Sequence, residues 1–159
     1  MFELLFPFFL LVLFFLVLSI IWRINARKYI SSGTVASAYD AWTQDKLLER
    51  LWGEHIHLGF YPSGKKNIDF RKAKVQFVHE LVKWSGLDKL PKGSRILDVG
   101  CGIGGSSRIL AKYYGFNVTG ITISPAQVKR ARELTPQGLN CNFQVMDALN
   151  LKFEDGSFD

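Results

Sequence analysis

The chain has 159 residues, with 20 Lys+Arg against 14 Asp+Glu for a formal charge of +6. That length is one domain's worth and excludes a multidomain enzyme, while 48% hydrophobic and 21% charged residues exclude a disordered or low-complexity chain. Cys101 and Cys141 are too few for a disulfide framework or a four-thiolate zinc site, which fits a reducing compartment.

From Leu4 to Trp22 no residue is charged, and only Pro7 and Ser19 interrupt the Leu, Phe, Val and Ile. Such a run is expected to be a transmembrane helix of roughly 28 Å, close to the thickness a spanning helix must cross. Glu3 at its start does not suit a cleaved signal peptide, so the segment is expected to stay as an anchor. Arg23, Arg27 and Lys28 follow directly, and the positive-inside tendency then places the remaining chain on the cytoplasmic side. The sequence thus divides into an anchor with its basic flank (1–28), a helical region covering the active site (29–92) and an α/β region (93–159). The charge left outside the anchor is a mild excess without a dense Lys/Arg block, so no nucleic-acid partner is expected. Lys65, Lys66, Arg71, Lys72 and Lys74 form the nearest thing to a basic cluster, either facing anionic lipid heads or lying on a solvated face.

Residues 34–52 are expected to be helical, with Ala36, Tyr39, Leu47, Leu48 and Leu51 on a broad face, and 53–64 to be a loop. A second helix is predicted over 69–84, because Phe70, Ala73, Phe77, Val78, Leu81 and Val82 recur at three- and four-residue steps after an Asn/Asp start, with Gly86 closing it. Pro91 to Gly93 makes a turn, and Arg95 to Val99 reads as a buried strand. An alternation follows: helix 104–114 closed by Gly115, strand 117–123, helix 125–134, strand 142–146. Ser124 can cap the later helix, Pro125 suits its first position and Gln127 can reach back. Parallel strands with crossover helices are the expected architecture, the first half of a doubly wound Rossmann-like α/β sheet.

The most informative loop is Gly100-Cys101-Gly102-Ile103-Gly104-Gly105. It must turn tightly, let a ligand lie against bare backbone and let the next helix approach the strand. Its spacing fits both G-x-G-x-x-G and G-x-G-x-G. Asp98 stands where it can meet a cationic group and would repel a pyrophosphate, and Asp147 places a second acid at the same sheet edge. A dinucleotide site wants an acid about 20 residues after the glycines, and none occurs between Gly100 and Arg132, so NAD is not expected.

The stretch Ile96 to Gly105 resembles motif I of the class I methyltransferases that use S-adenosylmethionine. Tyr39-Asp40, Trp52 to Gly59 and Gly120 to Pro125 extend the resemblance to the tocopherol and methyl-phytyl-benzoquinol methyltransferases, cyanobacterial type. The resemblance implies that Gly100, Cys101, Gly102, Gly104 and Gly105 hold S-adenosylmethionine against backbone, with Asp98 near its amino-acid moiety. It also implies that Thr122, Ile123, Ser124 and Gln127 sit beside the ribose and adenine, and that Asp147 and Ala148 hold the adenine edge. Many members of the wider superfamily have an acid where this chain has Thr122. A lipophilic prenyl quinol or tocopherol precursor, methylated at a ring carbon, is the implied acceptor, at a photosynthetic membrane that the anchor would bring to the site. Sterol or phospho-base methylation, or a non-catalytic membrane-anchored cofactor-binding module, are the alternatives.

Methyl transfer needs an aligned, water-poor site more than strong acid–base groups, but a base that takes a phenolic proton would help. His55, His57 and Tyr61 are the candidate bases; covering the cofactor or packing is the alternative role. No metal site is expected, since His55 and His57 lack further ligands. His79 is expected to be surface or packing, and Cys101 to be a small loop residue without an activated thiolate. Residues 153–159 resemble the approach to a fourth strand. The chain is therefore expected to be the N-terminal part of a longer methyltransferase and to turn over poorly alone.

Overall fold

A computed structural model describes the backbone of residues 2–25, 32–63 and 67–159, and side chains over 9–22, 33–63 and 67–159. The chain divides into two compact units, residues 1–38 and 39–159. Helix α1 runs Phe2–Asn25 and α2 runs Ser32–Gln44.

The expected transmembrane anchor is corrected here. Among the described residues no helix is long and apolar enough to cross a membrane, so the membrane as a partner and the single-pass location lose their support. The side chains of the basic flank, Arg23, Arg27 and Lys28, lie outside the described residues, as do Lys65 and Lys66.

The single helix expected over 34–52 is two. Asp45 accepts a hydrogen bond from the Leu47 N–H (2.9 Å), and Lys46 takes a left-handed φ of 53°, so the chain turns and restarts as α3, Leu47–Trp52. Helix α4, Phe70–Ser85, follows the predicted span closely. The Asp69 carboxylate accepts from the N–H groups of Arg71 and Lys72, Gly86 closes the far end in the left-handed region, and Ala73, Val78 and Val82 are buried on its inner face.

Strand β1 spans Arg95–Val99, β2 Asn117–Thr122 and β3 Cys141–Val145, all parallel in the order β1-β2-β3. Helix α5, Gly105–Ile109, continues as one π-helical turn over Leu110–Tyr114 instead of staying regular to its end. Helix α6, Pro125–Leu134, has the predicted ends, with the Ser124 hydroxyl accepting from the Gln127 N–H (3.1 Å). Residues on the sheet's two faces make two cores: Val82, Ile96, Leu110, Phe116 and Val118 under α4 and α5, and Cys101, Val128, Ala131 and Phe143 under α6. The last residue returns to β1, where the Asp159 N–H donates to Arg95 O (3.0 Å) and its carboxylate pairs with the Arg95 guanidinium (2.8 Å).

Candidate active site

The carboxyl ends of β1 and β2 open into a cavity of about 410 Å³. Its floor is the glycine loop. At Gly100 (φ +74°) and Gly102 (φ +57°) an added Cβ would meet nothing within 4 Å. Both are thus conformations that favour glycine, with empty space against bare backbone, which is the cradle a ligand would fill. Gly104 is different, because its Cβ would meet the Phe143 ring at 2.6 Å; it serves the contact between loop and sheet and does not line the cavity.

Asp98, on β1, lines the cavity with one oxygen tied to the fully buried Ser107 hydroxyl (2.6 Å). Burial pushes its carboxyl above the usual carboxylate range, against the hydrogen bonds from Ser107 and the field of His57. A carboxylate so placed gains from a cation brought beside it. Cys101 also lines the cavity, and burial lifts its thiol to about 12, so it carries no thiolate near neutral pH. Thr122 and Gln127 line the adenine-side wall implied by the resemblance, but they are joined to each other, the Thr122 hydroxyl donating to Gln127 Oε1 at 2.7 Å. Gly105, Ile123 and Ala148 are further lining residues.

Besides Gly104, three named residues stand outside the lining. Ser124 is fully buried and donates to Asp40 of α2, which also accepts from the Ala126 N–H (3.0 Å). Asp147 accepts from the Leu149 N–H (2.9 Å) in a local turn. Tyr61 is 55% exposed on the loop after Gly59.

The roof is the segment from Tyr39 to Leu58, with Tyr39, Trp42, Leu48, His55, Ile56 and His57 lining the cavity. Cations hold it in place. Arg130 of α6 makes a two-pronged bridge to Glu49 (Nε–Oε2 2.8 Å), which draws the Glu49 carboxyl below its usual range. Arg108 of α5 pairs with Glu54 and donates to Ile103 O of the glycine loop (2.8 Å), so one guanidinium joins roof to floor. From α4, Lys74 donates to His55 O (2.7 Å) and Trp52 O (3.2 Å), and Arg71 to Arg50 O (2.9 Å). Lys74 is 5% exposed. Of the expected lipid-facing cluster, Lys74 is therefore spent inside the fold, while Arg71, itself exposed, is tied to the backbone of α3.

His55 presses on the glycine loop: a Cβ on Gly105 would come 2.8 Å from His55 Cε1 and 2.8 Å from Glu54 O. His57 contacts it ring to ring, with His57 Nε2 3.0 Å from His55 Nδ1 and His57 Nδ1 2.8 Å from Leu58 O. Burial, then the neighbouring His57, hold His55 down at about 4, so it is neutral near pH 7. His79 is remote from the cavity and contacts the Tyr114 hydroxyl (2.7 Å).

Residues missed by the sequence reading are Ser107, Arg108, Glu49, Arg130 and Lys74. Only Arg108 and Ser107 had a signal within reach, as polar residues on the first turn of the helix that leaves the glycine loop.

Comparison with known proteins agrees with this geometry. Residues 96–159 match the family described as a methyltransferase domain. The chain is 60% identical over 139 residues to 2-methyl-6-phytyl-1,4-hydroquinone methyltransferase of Synechocystis, covering 87% of this chain and 44% of that protein. It is 42% identical over 123 residues to the chloroplastic tocopherol O-methyltransferase of Arabidopsis thaliana, covering 71% and 35%. The chain thus spans less than half the length of these curated relatives. Among solved structures, the [4+2]-cyclase SpnF superposes with a TM-score of 0.69 at 29% identity, covering 82% of this chain and 47% of that one. Magnesium protoporphyrin IX methyltransferase from Synechocystis PCC 6803, solved with bound S-adenosylmethionine, gives 0.55 at 25% identity, covering 78% and 58%.

Proposed function

On the premise that residues 96–159 are a methyltransferase domain, we propose that the protein transfers a methyl group from S-adenosylmethionine to a lipophilic prenyl quinol. The observation that carries this reading is the empty cradle over Gly100 and Gly102 beside the buried Asp98. These residues fit the donor: bare backbone admits its flat and extended parts, and Asp98 offers a desolvated carboxylate to its cationic amino-acid end. When bound, that donor supplies an electrophilic methyl on a sulfonium.

What the chain's own residues do follows from their placement. Asp98 anchors one end of the donor, and the wall of Thr122 and Gln127 borders the other. Because Thr122 donates to Gln127 and accepts from the Ser124 N–H (3.3 Å), its oxygen has one lone pair left for a ribose hydroxyl, a neutral bond where an acid would give a stronger one. The roof excludes water, and its apolar members, Tyr39, Trp42, Leu48 and Ile56, together with Met146 offer an aromatic and aliphatic surface to a lipophilic acceptor. The name of the Synechocystis relative supports a phytyl hydroquinone as that acceptor.

Calorimetry with S-adenosylmethionine tests the reading, with NAD as control. Binding that is lost in Gly102→Val, together with turnover of a prenyl quinol in preference to a sterol or phosphoethanolamine, is the expected result. Binding unchanged in Gly102→Val would overturn the site, and a bound donor without methyl transfer to any of the three acceptors would favour a non-methylating use of the fold, as in the cyclase.

A further inference from the structure

We propose that His55 is the proton acceptor of this site and that His57 is the positioning residue that fixes its tautomer and receives the charge; the proposal rests on the methyl-transfer reading. A carbonyl oxygen only accepts, so the contact of His57 Nδ1 with Leu58 O is an Nδ1–H donating. In the neutral ring His57 Nε2 is then a lone pair, and its 3.0 Å contact with His55 Nδ1 requires the proton to sit on His55 Nδ1. The lone pair of His55 is thereby left on Nε2, which has no protein partner among the described residues.

The surroundings hold this arrangement. The Nδ1–Cε1 edge of His55 rests on Gly105, and Lys74 grips the His55 carbonyl from α4. His57 packs against Phe77 with ring centres 5.4 Å apart. His55 lines the cavity, so a hydroxyl of the acceptor can reach the ring. The charged groups that bear on His55 are His57, Glu54, Arg108 and Lys74; only Glu54 favours the cation, and burial outweighs it. A lone imidazole there would be a weak base. The pair escapes this by moving the charge, because the 3.0 Å contact between His55 Nδ1 and His57 Nε2 lets the second ring take the proton.

The step balances. The acceptor's O–H bond breaks, an N–H bond forms at His55 Nε2, and the O–H electron pair stays on the acceptor. The His55 Nδ1 proton moves to His57 Nε2, leaving His57 cationic with its Nδ1–H still on Leu58 O. The acceptor, now nucleophilic, bonds to the methyl carbon while the carbon–sulfur pair stays on sulfur; where a ring carbon takes the methyl, its C–H bond then breaks, the pair restores the aromatic ring and the proton returns to the acceptor oxygen. One proton leaves through His57 for each methyl transferred.

Long-range ¹H–¹⁵N NMR of the imidazoles reads the tautomers directly, and calorimetry with S-adenosylmethionine runs beside it. Both His55 and His57 are expected as Nδ1–H near neutral pH. His57→Phe, which keeps a ring in place, shifts His55 to the Nε2–H form. His57→Gln, whose amide oxygen can accept from His55, restores Nδ1–H. In turnover of a prenyl quinol, assayed on a form of the chain as long as its curated relatives, His55→Gln lowers kcat by about 10²–10⁴-fold. An Nε2–H His55 in the wild type, a His55 spectrum indifferent to His57→Phe, or an unchanged kcat in His55→Gln overturns the proposal. A wild-type chain that fails to bind S-adenosylmethionine overturns the methyl-transfer reading first, and the proposal falls with it.

Discussion

Gly105→Ala asks whether the roof rests on the glycine loop. The new Cβ would lie 2.8 Å from Glu54 O and 2.8 Å from His55 Cε1. One of these is backbone, and Lys74 holds the next carbonyl at 2.7 Å, so neither neighbour yields freely. Overpacking of this kind costs roughly 1–3 kcal/mol, while alanine at a helical position regains up to about 1 kcal/mol over glycine. A net loss of about 1 kcal/mol is expected. Gly102→Ala supplies the contrast. Its Cβ meets nothing within 4 Å but is held at φ +57°, which costs a similar roughly 1–2 kcal/mol through strain alone. Stability alone does not separate the two, so each is combined with His55→Ala and unfolded in urea. Gly105→Ala should couple to His55→Ala by about 1 kcal/mol, because removing the imidazole removes half of the clash, whereas Gly102→Ala should add to within about 0.5 kcal/mol. Additivity in both cycles would refute the claim that His55 sits on Gly105.

Asp98→Asn removes a desolvated carboxylate, so thermal stability should hold or rise, while S-adenosylmethionine affinity falls by about 10- to 100-fold, the loss of a charge-assisted contact; calorimetry and melting curves check both signs. Because the Asp98 carboxyl titrates above its usual value, S-adenosylmethionine binding should tighten as pH rises through that value, and Asp98→Asn should flatten the profile. Acid should loosen the roof. His55 is depressed from 6.5 to about 4, so its contribution is complete above 6.5 and is lost as pH falls towards 4; after allowance for its partial exposure this is about 1 kcal/mol, and His55→Gln removes it from a pH series of urea midpoints. Arg108→Met leaves Ile103 O without its partner and parts roof from floor, with an expected cost of about 2–4 kcal/mol in urea unfolding.

The α/β half of this chain was legible because each of its signals is local. Asp69 and Ser124 cap helices whose first turns they precede, Gly86 and Gly115 take the left-handed ends their positions demand, and the apolar run from Arg95 to Val99 stops where its strand does. The same holds for the glycine loop, where spacing and chemistry coincide at Gly100 and Gly102. Errors arose where local pattern was taken to decide a regional outcome. The apolar periodicity over 34–52 carries no sign that the chain turns at Asp45 and Lys46 into a new helix, and the apolar N-terminal run reads as a span that the described residues do not provide.

The roof is the harder case. Glu49 and Arg130 stand 81 residues apart and Glu54 and Arg108 stand 54 apart, too far for any local pattern to pair them; each reads as an ordinary surface charge. Lys74 was misread for the same reason, since a lysine beside Arg71 and Lys72 resembles a solvated cluster until the carbonyls of Trp52 and His55 are found beneath it. These cations have a common logic. The segment Gly53 to Leu58 has no regular structure to use its own carbonyls, and buried carbonyls must find donors somewhere. Lys74 of α4 reaches the His55 carbonyl where backbone cannot, and Arg108 of α5 takes the Glu54 carboxylate. The polar atoms left over by an irregular roof thus recruit the cations that fasten it. The roof sets His55 over the glycine loop largely by side-chain bonds, so variants that weaken those bonds should loosen the cavity while the parallel sheet beneath keeps its own backbone pairing.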